Sequence, residues 1–334
     1  MSHPVSHSGS RLTSRLTRRG LLGAAALAPL CRPALAAFPD QPLRVIVPWN
    51  AGGLADVVIR ALGPAMSRPL GQTVVVENRP GANGAVGTQA VSRAPSDGHT
   101  LILANAETHA INPLIYPRLP YDPVADFTPV TVFARGPFVL ITRPEFGAET
   151  LEAFLARVRA APGRITYASW GIGSTSHLAM EGLIKQARLE MLHVPFTGAA
   201  PASTALMSGQ VDVMFLNAGP AEAIARDGKA RILGVGADGR IPLLPNVPTM
   251  AELGTPIEAG NWFGLLGPAR MPAAAASRIA EVTAEGLKSP AVQEVFRVQA
   301  ALSVTSTPEE MRAFIAADRA RWASVVRDLN IRLE

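Results

Sequence analysis

Cysteine is nearly missing from this 334-residue chain, and the single one, Cys31, falls within the first 36 residues. Without that segment no disulfide or thiolate chemistry remains, so stability must come from packing. Aromatic side chains make up only 5% of the sequence, but alanine, valine, leucine and isoleucine are plentiful enough to build two cores. Beyond residue 36 no apolar run approaches the ~20 residues that a membrane span needs. Acids are absent from residues 1–36, which hold Arg11, Arg15, Arg18, Arg19 and Arg32. The whole chain has 31 basic and 26 acidic residues, so the formal charge of +5 belongs to this first segment and the remainder is neutral overall. A neutral body argues against nucleic acid as a partner.

What is present in residues 1–36 is an export signal: a basic start, an apolar stretch from Gly20 to Leu30, and the small-residue end Ala34-Leu35-Ala36. Cleavage there starts the mature protein near Ala37 in the periplasm. Thr17-Arg18-Arg19-Gly20-Leu21-Leu22 resembles a twin-arginine leader, and the general secretory route stays open beside it. A lipid anchor at Cys31 would require a small residue before it, where Leu30 stands.

After the leader, short apolar runs alternate with helical patterns, which predicts α/β architecture with mainly parallel strands. Strands are expected at 43–47, 73–77, 100–104, 139–142, 165–168, 191–194, 211–215 and 231–235, and helices at 56–67, 151–160, 176–187, 200–208, 220–226, 272–288, 290–299 and 308–329. Two strand–glycine–helix units stand out. The first reads Pro48-Trp49-Asn50-Ala51-Gly52-Gly53-Leu54-Ala55-Asp56, and the second Gly171-Ile172-Gly173-Ser174-Thr175-Ser176-His177. Glycine admits close backbone approach, and amides at a helix start favour negative charge, so two such units facing each other could grip one small carboxylate. Two lobes follow, divided at crossings near Gly136-Pro137-Phe138 and Asn261-Trp262-Phe263: residues 37–137 with 261–334 as lobe 1, and 138–260 as lobe 2.

Enzyme readings fare poorly. In the second unit Ser176 replaces the last glycine of a dinucleotide fingerprint, and Glu190 comes before the next strand, not at its end. No Gly-x-Ser-x-Gly elbow exists, and Ser174 and His177, three residues apart on one helix, do not make a triad; a hydrolase remains the weaker alternative. His99, His109, His177 and His193 are scattered without metal-ligand spacing, so no metal or other cofactor is implied.

Further motifs carry a resemblance. They are Val75-Val76-Glu77-Asn78-Arg79-Pro80-Gly81-Ala82, Thr108-His109-Ala110-Ile111-Asn112-Pro113, Leu119-Pro120-Tyr121-Asp122-Pro123, His193-Val194-Pro195-Phe196, Gly209-Gln210-Val211-Asp212 and Pro245-Asn246-Val247-Pro248-Thr249, taken in order with the two glycine units. Together they span nearly the whole mature chain, and the sequence resembles the Bug family, the periplasmic solute receptors of tripartite tricarboxylate transporters. The resemblance implies a two-lobed, type II-like periplasmic-binding-protein (Venus-flytrap) fold, each lobe a mixed sheet flanked by helices. It also implies a monomer that binds an organic carboxylate between its lobes and hands it to membrane transporter subunits. An orphan receptor acting in signalling would use the same closed complex.

The candidate ligand residues follow from these two lines. Trp49, Asn50, Ala51, Gly52 and Gly53 shape the first cradle, where a side chain on either glycine would obstruct the amides. Asp56 suits either an N-cap or a role in shaping the site. Gly173, Ser174 and Thr175 offer open backbone and hydroxyl donors, or a cap; His177 suits a buried hydrogen-bond partner or a ligand contact. Phe196, Thr197, Gly198 and Asn217 follow apolar strands, on the side of an α/β sheet where ligands lie. Family members often carry lysine where this chain has Thr197, and phenylalanine followed by a small residue or proline where it has Trp49-Asn50. Losing that cation favours recognition by dipoles and hydroxyls, and Trp49 adds an apolar wall for an aromatic or longer acid.

Overall fold

The computed structural model describes residues 38–329 and 331–332; the expected leader, its cleavage point and Cys31 lie outside them. In chain order the elements are β1 (Leu43–Val47), α1 (Leu54–Leu70), β2 (Val74–Asn78), α2 (Ala85–Ser92) and β3 (Thr100–Ala104), then a π-helical turn, Glu107–Ile111, continuing into α3 (Asn112–Ile115). The long strand β4 (Phe127–Thr142) follows, then α4 (Leu151–Ala160), β5 (Thr166–Ser169), α5 (Thr175–Ala187), β6 (Leu192–Pro195), α6 (Ala199–Met207), β7 (Val213–Asn217), α7 (Ala218–Arg226) and β8 (Arg231–Val235). The chain ends with β9 (Gly260–Pro268), α8 (Ala273–Gly286), α9 (Pro290–Val298), β10 (Leu302–Ser303) and α10 (Pro308–Leu329).

Strand order is β2-β1-β3-β9-β4-β7-β5-β6, with β8 and β10 also paired to β4. The sheet is mixed, as the resemblance implies, and not mainly parallel as the alternation of elements predicts. β1 is parallel to β2 and β3, and β5 is parallel to β6 and β7, but every pairing of β4 and β9 is antiparallel. Residues 127–137 of β4 pair with β9, while 138–142 pair with β7 and β8. One strand therefore serves both halves of the sheet, and the change of partners falls at Gly136-Pro137-Phe138. Of β9 and the first part of β4, only the crossings near 261–263 and 136–138 were expected, not the strands around them. Pro129, Arg135, Gly136 and Pro137 interrupt the apolar run of β4, and glycine and proline ordinarily argue against a strand interior.

Side-chain alternation sorts the core. Leu43, Val45 and Val47 of β1 pack with α1, α8 and α9, whereas Ile46 faces the opposite side with Ile102, Ile111, Trp262 and Trp322. In the other half Phe138 and Leu140 join Phe154, Tyr167 and Leu183, and Val139 and Ile141 join Met214, Leu206 and Ala221. Each strand feeds two layers because period-2 side chains point to opposite faces. Helix α1 buries Leu54, Val58, Ile59, Leu62 and Met66 at helical spacing and ends at Gly71, whose φ of 68° closes the last turn. Burying each of those side chains is worth about 1.5–3 kcal/mol before conformational entropy is charged. Among the described residues no helix is long and apolar enough to cross a membrane.

Candidate functional site

Both glycine units leave the carboxyl ends of parallel strands, so the topology aims them at the same region beside the crossing. In the first, Gly52 has φ +86° and a side chain there would meet nothing within 4 Å. Gly53 is extended (φ −74°, ψ 165°) and begins α1 with no side-chain cap. Glycine is thus demanded by backbone conformation at Gly52 only. Ala51 and Asn50 are exposed and Trp49 is half-buried, its ring beside Gly84.

Asp56 is buried with its carboxylate turned into the protein. It accepts from the Gly52 amide at 3.0 Å, Arg60 Nε at 2.8 Å and Asn78 Nδ2 at 2.9 Å. Asn78 Nδ2 also donates to the Trp49 carbonyl at 3.1 Å, and Arg60 to Asn78 Oδ1 at 2.7 Å. The result is a clasp that fixes loop 49–53 from behind.

The second unit is built differently. Ser174 caps α5: its Oγ accepts from the His177 amide at 3.3 Å and donates to the Gly171 carbonyl at 2.7 Å. Gly173 has φ +76°, and its amide donates to His177 Nδ1 at 3.2 Å. His177 stacks on His193 with ring centroids 4.1 Å apart, and His193 on Tyr167 at 4.7 Å. Burial, with a smaller contribution from His193, lowers the His177 pKa to about 3, and burial lowers that of His193 to about 4. A neutral ring is what an acceptor Nδ1 requires. His177 thus orders the glycine turn, and His193 sits under it, bonded to Ser169 Oγ at 2.7 Å.

Thr175 does not face open space. Its amide and hydroxyl donate to Glu107 Oε1 at 3.1 and 2.7 Å, and Trp170 Nε1 approaches the same oxygen at 3.4 Å. Asn261 Nδ2 donates to Oε2 at 2.8 Å, and Asn105 Nδ2 bonds to that oxygen as well. Other loops of the two halves also meet: Asn50 Nδ2 donates to the Thr197 carbonyl, after β6, at 3.4 Å, and Asn83 Nδ2, after β2, reaches the Gly173 carbonyl at 3.5 Å. Asn50 and Thr197 therefore touch.

Phe196 is half-buried against the second half's core, Thr197 is exposed, and Gly198 has φ +140°. Asn217, at the end of β7, is nine-tenths buried, and its Nδ2 has no hydrogen-bond partner. That nitrogen lies 3.2 Å from where a side chain on Gly136 would begin, and Leu54 Cδ2 lies 2.5 Å from the same point. A bare glycine at the crossing thus lets the start of α1 and the Asn217 amide come together.

Glu107, Asn105, Trp170 and Asn78 are the functional candidates that sequence reasoning missed, and Asn261 was noted only as part of a crossing. One signal was available: Glu107 is an acid just beyond the all-apolar end of β3, on the ligand side of the sheet. A cavity of about 480 Å³, which Asn261 also lines, lies between the crossing strands, loop 236–242 and α10, with Arg135, Arg240 and Arg321 among its walls. Among the described residues no group of three or more histidine, cysteine or acidic side chains is placed to hold a metal ion.

A mixed sheet shared through a crossing strand, with glycine loops at strand ends, defines a solute receptor of the periplasmic-binding-protein class. The chain belongs to the tripartite tricarboxylate transporter receptor family, whose model matches residues 58–331. It is 35% identical over 299 residues to protein BugT of Bordetella pertussis, covering 89% of this chain and 92% of that one. Two solved structures from Rhodopseudomonas palustris superpose along most of their length. An adipate complex is 30% identical with a TM-score of 0.84, covering 88% of this chain and 99% of that one. MatC with bound malate is 32% identical with a TM-score of 0.80, covering 86% and 100%.

Proposed function

We propose that this protein captures a small organic carboxylate between two lobes, 37–137 with 261–334 and 138–260, and delivers it to a tripartite membrane transporter from the periplasm. The observation that carries this reading is the first cradle. Helix α1 starts without a side-chain cap, so its first-turn amides have no intrahelical acceptor. The unpartnered, buried amide of Asn217 lies against the same Gly136 as Leu54. Donors without acceptors at the positive end of a helix suit an anion, and a buried polar group without a partner is costly unless something else satisfies it. The malate and adipate held by the two structural relatives support the same ligand class.

Asp56 acts behind this site by holding the loop, and Trp49 and Phe196 provide apolar walls. Closure follows if the solute meets both lobes, because only differential affinity for the closed form shifts the equilibrium. A thermal-shift screen of mono-, di- and tricarboxylates on the mature protein tests the reading. A solute at 100 times its Kd should add about 2.7 kcal/mol of stability, and small-angle scattering should show compaction with that solute. A screen in which no carboxylate stabilises the protein would sink it. For the export step, intact-mass analysis of the periplasmic protein should show loss of residues 1–36; a mass retaining Arg18 and Arg19 refutes it.

A further inference from the structure

The second cradle already contains a carboxylate, and it is the protein's own. Glu107 leaves the end of β3 and reaches the first turn of α5, where it is 1% exposed. Five donors converge on its two oxygens: the Thr175 amide and hydroxyl, the Trp170 indole, and the amides of Asn105 and Asn261. All are neutral. A carboxylate offers about four lone-pair sites, so five donors leave nothing with which Glu107 could receive an ammonium group. This is the arrangement by which a protein binds an anion through dipoles at a helix start, with the anion supplied from the chain itself. The first cradle differs, since no side chain caps α1 there.

We propose that Glu107 is a specificity-determining residue: it fills the anion subsite at the start of α5, so the solute carries a single carboxylate and an uncharged body. This rests on the proposed function, in which the cleft binds a carboxylate through the first cradle. The side of the cleft bearing the α5 helix is closed to a second carboxylate, which would meet both a filled subsite and a like charge. In the first cradle Trp49 is half-buried, and its ring suits an apolar body.

The test uses matched pairs that differ by one terminal carboxylate, hexanoate against adipate and benzoate against terephthalate, titrated calorimetrically into the mature protein. The wild-type protein should bind at least one monocarboxylate 10-fold or more tightly than its dicarboxylate partner. Glu107→Ala should narrow or reverse that preference by at least 10-fold. It should also gain saturable thermal stabilisation by acetate beyond that of the wild type, because acetate occupies the vacated subsite. The wild-type preference needs no variant, so the proposal can be judged even if Glu107→Ala does not fold. Wild-type binding of a dicarboxylate as tight as that of its monocarboxylate partner overturns this inference and leaves the proposed function standing. Failure of every carboxylate to bind both proteins overturns the two together.

Discussion

Replacing Asp56 with alanine should loosen the first cradle without removing any group that faces the solute. The carboxylate receives three hydrogen bonds, from Gly52, Arg60 and Asn78. The side chain of Asp56 is 5% exposed and that of Arg60 47%. Hydrogen bonds to a charged group are each worth about 1.5–3 kcal/mol, but the Arg60 pair is screened by solvent and contributes about 0.5–1 kcal/mol. Some of the loss is recovered because water reaches the exposed Gly52 amide, so the net cost should be about 3–4 kcal/mol. Unfolding entropy near 2.1 cal/mol/K per residue turns this into a midpoint lower by roughly 5–6 °C for a chain of this length. The comparison variant is Arg60→Met, which removes the screened pair and the exposed hydrogen bond to Asn78 Oδ1 and should cost about 1 kcal/mol. Calorimetric melting of both proteins decides the matter. If Asp56→Ala melts within 1 °C of the wild type, or if Arg60→Met costs as much, the buried clasp is not what holds the loop.

Other substitutions separate structure from recognition. Gly53→Val fits the extended backbone at that position and should leave the melting midpoint unchanged while weakening carboxylate affinity 10-fold or more; unchanged affinity would move the solute away from the loop. Gly52→Val, at φ +86°, should instead lose about 1–2 kcal/mol of stability, measured by urea titration. Ser174→Ala removes an N-cap and should cost about 1 kcal/mol with less than a threefold change in affinity, because its hydroxyl is already engaged by Gly171 and His177; a tenfold loss would restore it as a ligand contact. His109 is fully buried, and burial lowers its pKa to about 3, below the unfolded value near 6.5. The stability it contributes is therefore complete above pH ~6.5 and is lost as pH falls toward 3, by about 2 kcal/mol at pH 5. His109→Gln should flatten the pH 5–7 dependence by that amount, and an unaltered slope would contradict it.

The sequence shows some parts of this architecture more readily than others. The glycine units, β1, β3 and most helices were legible because single-period patterns and turn residues set them locally. The crossing strands were not, since a strand buried on both faces and broken by Pro129 and Pro137 has no alternation to read. The occupant of the second cradle was hidden for another reason. Ser174 and Thr175 have the right donors for an external anion, and only tertiary structure brings Glu107 to them from 68 residues away. Asp56 and His177 show the same limit, since N-cap, clasp and ligand contact call for the same residue types until partners are known.

The strand order has a consequence for the order in which the chain can fold. β9 lies between β3 and β4 in the sheet, yet its residues come after the whole of β5, β6, β7 and β8. Strands β4 to β8 form a continuous stretch of sequence that can pair as soon as residue 235 is available. The first half must wait for residues 260–268 to join β3 to β4, and then for α8 and α10 to cover its faces. Such non-local pairing is slow to form, so the stretch that is contiguous in sequence should acquire protected amides first. Pulse-labelled hydrogen exchange during refolding would show this as early protection in β5 and β7 and late protection in β1 and β3. A chain cut short before β9 would carry one completed sheet and one with its middle strand missing, exposing the unpaired edge of β3 to other chains.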